Sequence, residues 1–317
     1  MAGRRVLVTG ASGFIGKELC RVLVARGNQV TGVVRSAVKL PVTDVQYLVQ
    51  DLEKPFDATS LTKDVDAIVH LAGIAHGKES TEGDISDVFV KGNVEPTKRL
   101  AEAAAANGIQ RFVHLSSIGV HGDRTNESPI TECSAERPHS DYAFSKLRSE
   151  KTLIGELAGS QTSFSIIRPT LVYGHDAPGN FGKLVGMCRK RIPLPFRDVN
   201  NKRSLVSLDS LVKLIILCIE LPEAENEIFV AADQNPVTTE EIVRSLREGV
   251  DLRPALFKVP VSFLQLGCTL IGKDSLFQQL FGNLEVDATK ASKMLGWERE
   301  AVTTKVLQSI GKESCKC

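Results

Sequence analysis

The first half of the chain alternates short β-branched runs with stretches in which apolar residues recur every three or four positions. Arg5–Thr9, Gln29–Val34, Val45–Val49, Asp66–His70, Arg111–Leu115 and Phe164–Arg168 read as strands, and the segments at about 14–26, 85–106 and 141–157 read as helices. Strands that are apolar on both faces belong between two helical layers, so the pattern predicts an α/β fold built on a doubly wound parallel sheet. After Pro169 the rhythm changes, and Ala177-Pro178-Gly179 and Ile192-Pro193-Leu194-Pro195 mark loops. The expected organisation is a first domain over 1–175 and a smaller C-terminal substrate domain over 176–317, with segment 204–231 packing back on the first. Internal repeats and low-complexity tracts are absent from the sequence.

Directly after the first strand comes Thr9-Gly10-Ala11-Ser12-Gly13-Phe14-Ile15-Gly16, which opens a helix. Glycines at such a turn let the backbone bend tightly and approach a pyrophosphate, whose charge sits on the free N–H groups of the helix start. The spacing is Gly-x-x-Gly-x-x-Gly, and its place between strand and helix favours a dinucleotide over a merely structural turn. The second strand ends at Val34 and is followed by Arg35 and Ser36, with Lys39 nearby and no carboxylate in place. Arginine suits a 2′-phosphate and an acid suits a ribose diol, so this end favours NADP(H), with NAD as the alternative if Arg35 stacks on adenine.

Tyr142 and Lys146 stand four apart at the start of a predicted helix and share one face. A tyrosine with an ordinary pKa near ~10 is a poor proton catalyst at neutral pH, and an adjacent ammonium favours its phenolate. Lysine also has donors left for a ribose hydroxyl. Ser116-Ser117 end the fifth strand, at the sheet edge where doubly wound folds bind ligands, and Ser117, nearer the loop, is the better candidate to orient the reacting oxygen. His76 and His121 are candidate pocket residues, although loop histidines more often make ordinary hydrogen bonds.

Composition narrows the classes. In 317 residues, 42% apolar and 24% charged, 39 basic residues face 38 acidic ones and no segment concentrates either sign, which argues against nucleic acid as a partner. The N-terminus lacks a secretory pattern, and the longest charge-free apolar stretch, 259–272, holds a proline, glycines and a glutamine and is too short to span a bilayer. A cytoplasmic protein without membrane insertion is expected, its seven scattered cysteines reduced. Cys315 and Cys317 at the tail read as a frayed terminus, Asn126-Glu127-Ser128 as a chance glycosylation match, and no histidine or cysteine spacing marks a metal.

Together these motifs resemble the extended short-chain dehydrogenase/reductase family, in its nucleotide-sugar epimerase, dehydratase and ketoreductase branch. The likeness runs through Thr9 to Gly16, Asp51-Leu52, His70-Leu71-Ala72-Gly73, Asn93-Val94, Ser116-Ser117, Tyr142 to Lys146, Arg168-Pro169, Val172-Tyr173-Gly174, Arg203 to Asp209 and Leu295-Gly296-Trp297. It implies a Rossmann domain in which Gly10, Ser12, Gly13, Phe14, Ile15, Gly16, Arg35, Asp51, Leu52, Leu71, Ala72, Gly73, Asn93 and Pro169 surround the cofactor, with Asp51 and Leu52 at the adenine. Ser117, Tyr142 and Lys146 would be the catalytic set. Asn180 and Arg203 would grip the diphosphate of a UDP-hexose, with Leu194 and Phe196 near the base and His121 in the substrate pocket. A homodimer through the helices at 85–106 and 141–157 is likewise implied.

Departures from the branch bear on the reaction. Ile118-Gly119-Val120-His121-Gly122 follows the serine where epimerases usually carry a Val-Tyr-Gly, and the Asp-Glu pair of dehydratases is missing there. The second half is similar to bacterial ketoreductases of the UDP-N-acetylquinovosamine type. The leading expectation is therefore an NAD(P)-dependent 4-ketoreductase or dehydrogenase acting at C4 of an amino or 6-deoxy UDP-hexose. The alternatives are a UDP-sugar 4-epimerase and, from another class, a non-catalytic dinucleotide-binding sensor or scaffold.

Overall fold

The computed structural model describes residues 3–37, 39, 41–75, 87–125, 128–260, 262–263, 265, 269 and 274–313. His76, the start of the helix expected from 85, Asn126-Glu127, Cys268, Cys315, Cys317 and most of the 259–272 stretch lie outside these residues. Strands β1 (Arg5–Thr9), β2 (Gln29–Val34), β3 (Val45–Val49), β4 (Ala67–His70), β5 (Arg111–Leu115) and β6 (Ser163–Pro169) pair in parallel. Beyond them β7 (Leu171–Tyr173) and β8 (Leu205–Ser207) make a separate two-stranded sheet, and β9 (Glu227–Ala231) joins the main one beside β6. The seven-stranded order is β3-β2-β1-β4-β5-β6-β9. This is the doubly wound parallel sheet that the alternation of apolar runs implies.

Alternation along each strand sends neighbours to opposite helical layers. Val6 and Val8 pack with Leu19 and Leu23 of α1 (Phe14–Ala25), whereas Leu7 between them packs with the other layer. After the short α2 (Ala58–Leu61) and α3 (Asp87–Phe89), that second layer is formed by α4 (Glu95–Asn107) and α5 (Asp141–Leu157), through Leu100, Ala104, Leu153 and Leu157. A third apolar cluster lies farther along the chain, in α6 (Gly179–Cys188) and the segment after it. Phe181, Leu194 and Phe196 meet Leu246 there, and α7 (Leu208–Glu220) and α8 (Thr239–Gly249) flank the two regions. Each fully buried leucine or phenylalanine in these clusters contributes roughly 2 kcal/mol.

The helix expected over 85–106 is not continuous. Between α3 and α4 the chain makes a π-turn over Val90–Val94, and α4 begins with Pro96 in its first turn. Proline has no N–H to return to the carbonyl four residues back, so the ladder widens by one residue there. The widened turn brings Gly92 against Ile74, whose Cδ1 would lie 2.4 Å from any added Cβ.

Because β1 and β4 are neighbours while the chain leaves β1 for β2 and β3, the connections at their carboxyl ends diverge to opposite sides. Doubly wound sheets open their ligand crevice at such a switch point.

Candidate functional site

The crevice is a cleft of about 630 Å³ lined by Gly10, Ser12 and Gly13, by Val33 to Ser36, by Gln50 to Glu53, by Leu71 to Ala75, and by Val88 and Gly92. Gly10 has φ +68°, and a Cβ there would stand 2.9 Å from the Ala72 backbone nitrogen. Only glycine lets β1 turn this close to the loop after β4. Gly16 packs the new helix equally tightly on that turn, since a Cβ would come within 2.2 Å of the Gly10 carbonyl. The N-cap of α1 is Gly13, which makes no side-chain cap bond, and the first turn carries no acid. The helix start therefore presents uncapped N–H groups and an uncompensated dipole beside a cradle free of side chains, which fits a pyrophosphate. Phe14 turns away, toward Gly174 and the third cluster, and Ile15 packs on the first, so these two shape the turn without facing the cleft.

At the far end the register matters. Val34 pairs with Val49, so the residues that leave the two strands emerge together, and Gln50 N–H donates to the Val34 carbonyl at 2.8 Å. Asp51 accepts the Glu53 N–H at 3.1 Å, Leu52 is buried beneath, and Glu53 pairs with Arg35 at 3.3 Å. Asp51 itself lies 3.5 Å from Lys54. Arginine is thus not facing an acid-free site, as reading the end of β2 alone implies.

The middle wall, Leu71 to Gly73, is fixed by a buried chain of polar groups. Ala72 N–H donates to Thr9 Oγ1 at 3.1 Å, Thr9 meets His70 Nδ1 at 2.7 Å, His70 Nε2 meets Thr97 Oγ1 at 3.1 Å, and Thr97 donates to the Asn93 carbonyl at 2.7 Å. Thr97 has one hydroxyl proton and gives it to that carbonyl, so His70 donates from Nε2 and accepts from Thr9 at Nδ1. Burial holds His70 neutral, with its pKa down to about 3, and the Lys146 charge adds to the effect. Asn93 is buried with both amide functions occupied: it accepts from Ile74 N–H at 2.7 Å and donates to the Ile74 carbonyl at 3.1 Å and to Ser145 at 2.8 Å. It ties the wall to α5 with no polar atom left for a ligand. Pro169, at the end of β6, pairs with Ala231 and is buried outside the cleft lining.

Ser140 caps α5 by accepting from Ala143 N–H at 3.3 Å, which aims the first turn and with it Tyr142 toward β5. Ser117 lies near enough to the Tyr142 phenol to favour its ionised form, and accepts from Gly119 N–H at 3.1 Å. Phe89 holds the tyrosine ring from the side, centroid to centroid 6.5 Å. Lys146 is buried, donates to the Leu115 carbonyl at 2.7 Å, and lies 3.3 Å from where a Cβ on Gly73 would be. Helix α5 therefore meets the cleft at Gly73. Burial lowers the lysine to about 8, partly offset by Glu150, and raises the phenol, partly offset by Ser117. The expectation that the ammonium lowers the phenol is reversed here, because Nζ is held by the Leu115 carbonyl and burial dominates.

Behind these groups Arg168 is locked by Glu150 at 2.6 Å and by His121 at 2.9 Å, and His121 also bonds the Ala135 carbonyl at 3.3 Å. At 5% exposure His121 is part of this buried network and is not among the lining residues of the cleft. Leu194 and Phe196, 2% and 3% exposed, are likewise core residues, with Phe196 packed on Phe281 at 5.8 Å.

Asn180 and Arg203 do come together, in a second cavity of about 70 Å³ with Leu171, Phe181, Leu184, Leu205, Thr239, Ile242, Gln279 and Leu280. Asn180 donates to Gln279 at 2.6 Å. Arg203 is 7% exposed, its bonds to the Gln278 and Gly282 carbonyls are 3.5 and 3.4 Å long, and it makes no ion pair among the described residues. Burial lowers it to about 10, with Asp123 acting against that at longer range. A buried guanidinium so weakly compensated is an anion site in electrostatic terms. Gln279 and Thr239 carried no motif and were missed, whereas Glu53, two residues past Asp51, could have been found by asking which residues leave β3 beside Arg35. Among the described residues no cluster could hold a metal ion and no helix is long and apolar enough to cross a membrane.

Comparison with known proteins agrees with this geometry. The model of the NAD dependent epimerase/dehydratase family matches residues 6–232. A UDP-glucose 4-epimerase of Vibrio cholerae is 34% identical over 300 residues, covering 93% of this chain and 90% of the relative. A 4-hydroxy-2-methyl-3-oxo-4-farnesyl-3,4-dihydroquinoline-1-oxide ketoreductase of Stigmatella aurantiaca is 25% identical over 316 residues, 97% and 91% of the two chains. The structure of UDP-glucuronic acid 4-epimerase from Bacillus cereus in complex with UDP-glucuronic acid and NAD superposes with a TM-score of 0.76 at 22% identity, over 97% of this chain and 98% of that one.

Proposed function

Since the chain belongs to the NAD dependent epimerase/dehydratase family and is an enzyme of the extended short-chain dehydrogenase type, we propose that it inverts C4 of a UDP-linked hexose with NAD as its cofactor. The observation that carries this reading is a convergence: Tyr142 on α5 lies against Phe89 with Ser117 of the β5 end beside it, and Lys146, one turn further along α5, reaches the cleft at Gly73. A nicotinamide in that cleft supplies a hydride acceptor and donor. Tyr142 takes the proton from O4 as the carbinol becomes a ketone and returns it as the carbinol re-forms, and Ser117 holds that oxygen in line. Lys146, whose Nζ is fixed by the Leu115 carbonyl, has donors left for the ribose of the nucleotide. Arg203 and Asn180 hold the diphosphate, so that a sugar can turn while its carrier stays fixed.

The epimerase takes precedence over the reductase expected from the second half of the sequence because the Vibrio relative, at 34% identity, is an epimerase. The Stigmatella relative keeps a ketoreductase as the second reading. The two differ in whether the ketone is retained and turned or arrives from outside. Incubation with UDP-glucose or UDP-N-acetylglucosamine and catalytic NAD⁺ is expected to give the C4 epimer with no net change in nicotinamide absorbance. Failure on both sugars, with stoichiometric loss of NADPH on a UDP-4-keto-6-deoxy sugar, would establish the reductase instead.

A further inference from the structure

The adenosine end of the cleft holds charges in matched pairs. Arg35 faces Glu53 at 3.3 Å, and Lys54 faces Asp51 at 3.5 Å. Glu53 is not a stray surface acid. The Asp51 carboxylate accepts its backbone N–H, Leu52 anchors the turn in the core, and β2 and β3 are in a register that delivers residues 35 and 53 to the same rim. Both residues line the nucleotide cleft, together with Ser36 and Gln50.

We propose that Glu53 is a cofactor-specificity residue, the carboxylate that the end of β2 lacks, supplied across the sheet from the turn after β3. It works in two ways. Its oxygens accept hydrogen bonds from a ribose diol, which NAD offers and NADP does not, since NADP carries a phosphate on the 2′ oxygen. It also occupies Arg35, the one guanidinium lining the cleft among the described residues, so that a 2′-phosphate would have to displace a carboxylate to reach it and would then sit beside two acids, Asp51 and Glu53. Like charges at that distance are repelled, and Arg35 is no longer the bidentate phosphate donor that its sequence position implies. The inference rests on the proposed nucleotide reading of this cleft and names the residue that sets its preference for NAD.

Calorimetric titration of the full chain with NAD⁺ and with NADP⁺ tests it without reference to turnover. The unsubstituted protein is expected to bind NAD⁺ more tightly. Glu53→Gln removes the charge at nearly constant shape on a partly exposed turn, and is expected to shift the ratio of the two dissociation constants toward NADP⁺ by roughly tenfold. The double variant Glu53→Gln with Arg35→Gln is expected to lose the gain in NADP⁺ affinity, because the freed guanidinium is its source. A ratio that stays within about twofold of the original in Glu53→Gln, or a gain that survives removal of Arg35, overturns the role of Glu53. A chain that binds neither nucleotide overturns the underlying reading of the cleft, and the inference with it.

Discussion

Replacing Tyr142 with phenylalanine is expected to lower turnover by about 10²- to 10⁴-fold, the usual contribution of a positioned proton-transfer group. Nucleotide binding should stay close to that of the unsubstituted protein. The separation follows from where the atoms are. The ring is held by Phe89 and by the helix that Ser140 caps, and phenylalanine keeps both contacts. Tyr142 stands on the Ser117 side of the site, and it is not among the residues lining the cleft at the uncapped start of α1 and the Asp51–Glu53 turn. Steady-state rates and a nucleotide titration on the same preparation decide it. A variant with undiminished turnover would remove Tyr142 from the chemistry and return the dinucleotide-binding sensor to the front.

The second large effect belongs to Arg203. Truncation to leucine is expected to raise the Michaelis constant for the nucleotide sugar by about 30- to 5,000-fold, since removing one partner of a buried charge pair costs about 2–5 kcal/mol. The same substitution should leave the melting temperature of the free protein unchanged or raise it. The guanidinium is buried with two long carbonyl bonds and, among the described residues, no ion pair, so it gives the fold little and costs desolvation. A residue kept for its anion shows this opposition between stability and binding. Thermal unfolding and substrate saturation of Arg203→Leu measure the two halves. A strongly destabilised variant with an ordinary Michaelis constant would make Arg203 a structural bolt for the 278–282 carbonyls and no part of the substrate site.

How much of this was legible in the sequence depends on how local the cause is. β1, β2, β3 and α5 follow from apolar period and capping residues within a few positions, and their bounds emerge as read. The glycine turn and the Tyr142–Lys146 pair were equally readable, because each is a contiguous motif whose geometry is set by one turn of chain. What escaped depends on partners distant in sequence. The π-turn at Val90–Val94 answers to Pro96 and to Ile74, the latter on another segment. His121 lies close to Ser117 in sequence, yet Arg168, 47 residues away, draws it into a buried network. Leu194 and Phe196 follow a proline-rich loop that looks exposed until Leu256 and Phe281 close over it. Arg35 has no carboxylate near it on its own strand, and it is the pairing of β2 with β3 that brings Glu53 to it.

The central claim is that a hydride leaves and returns to C4 while Tyr142 carries the proton of the attached oxygen. UDP-hexose deuterated at C4, incubated with the protein and NAD⁺ in ordinary water, tests it most directly. Mass and NMR analysis of the epimer should find the deuterium still at C4, now with the opposite configuration, and none released to solvent, with no such product from Tyr142→Phe. Deuterium washed out into water would mean that C4 is inverted by removal of a proton from carbon, and would contradict the account.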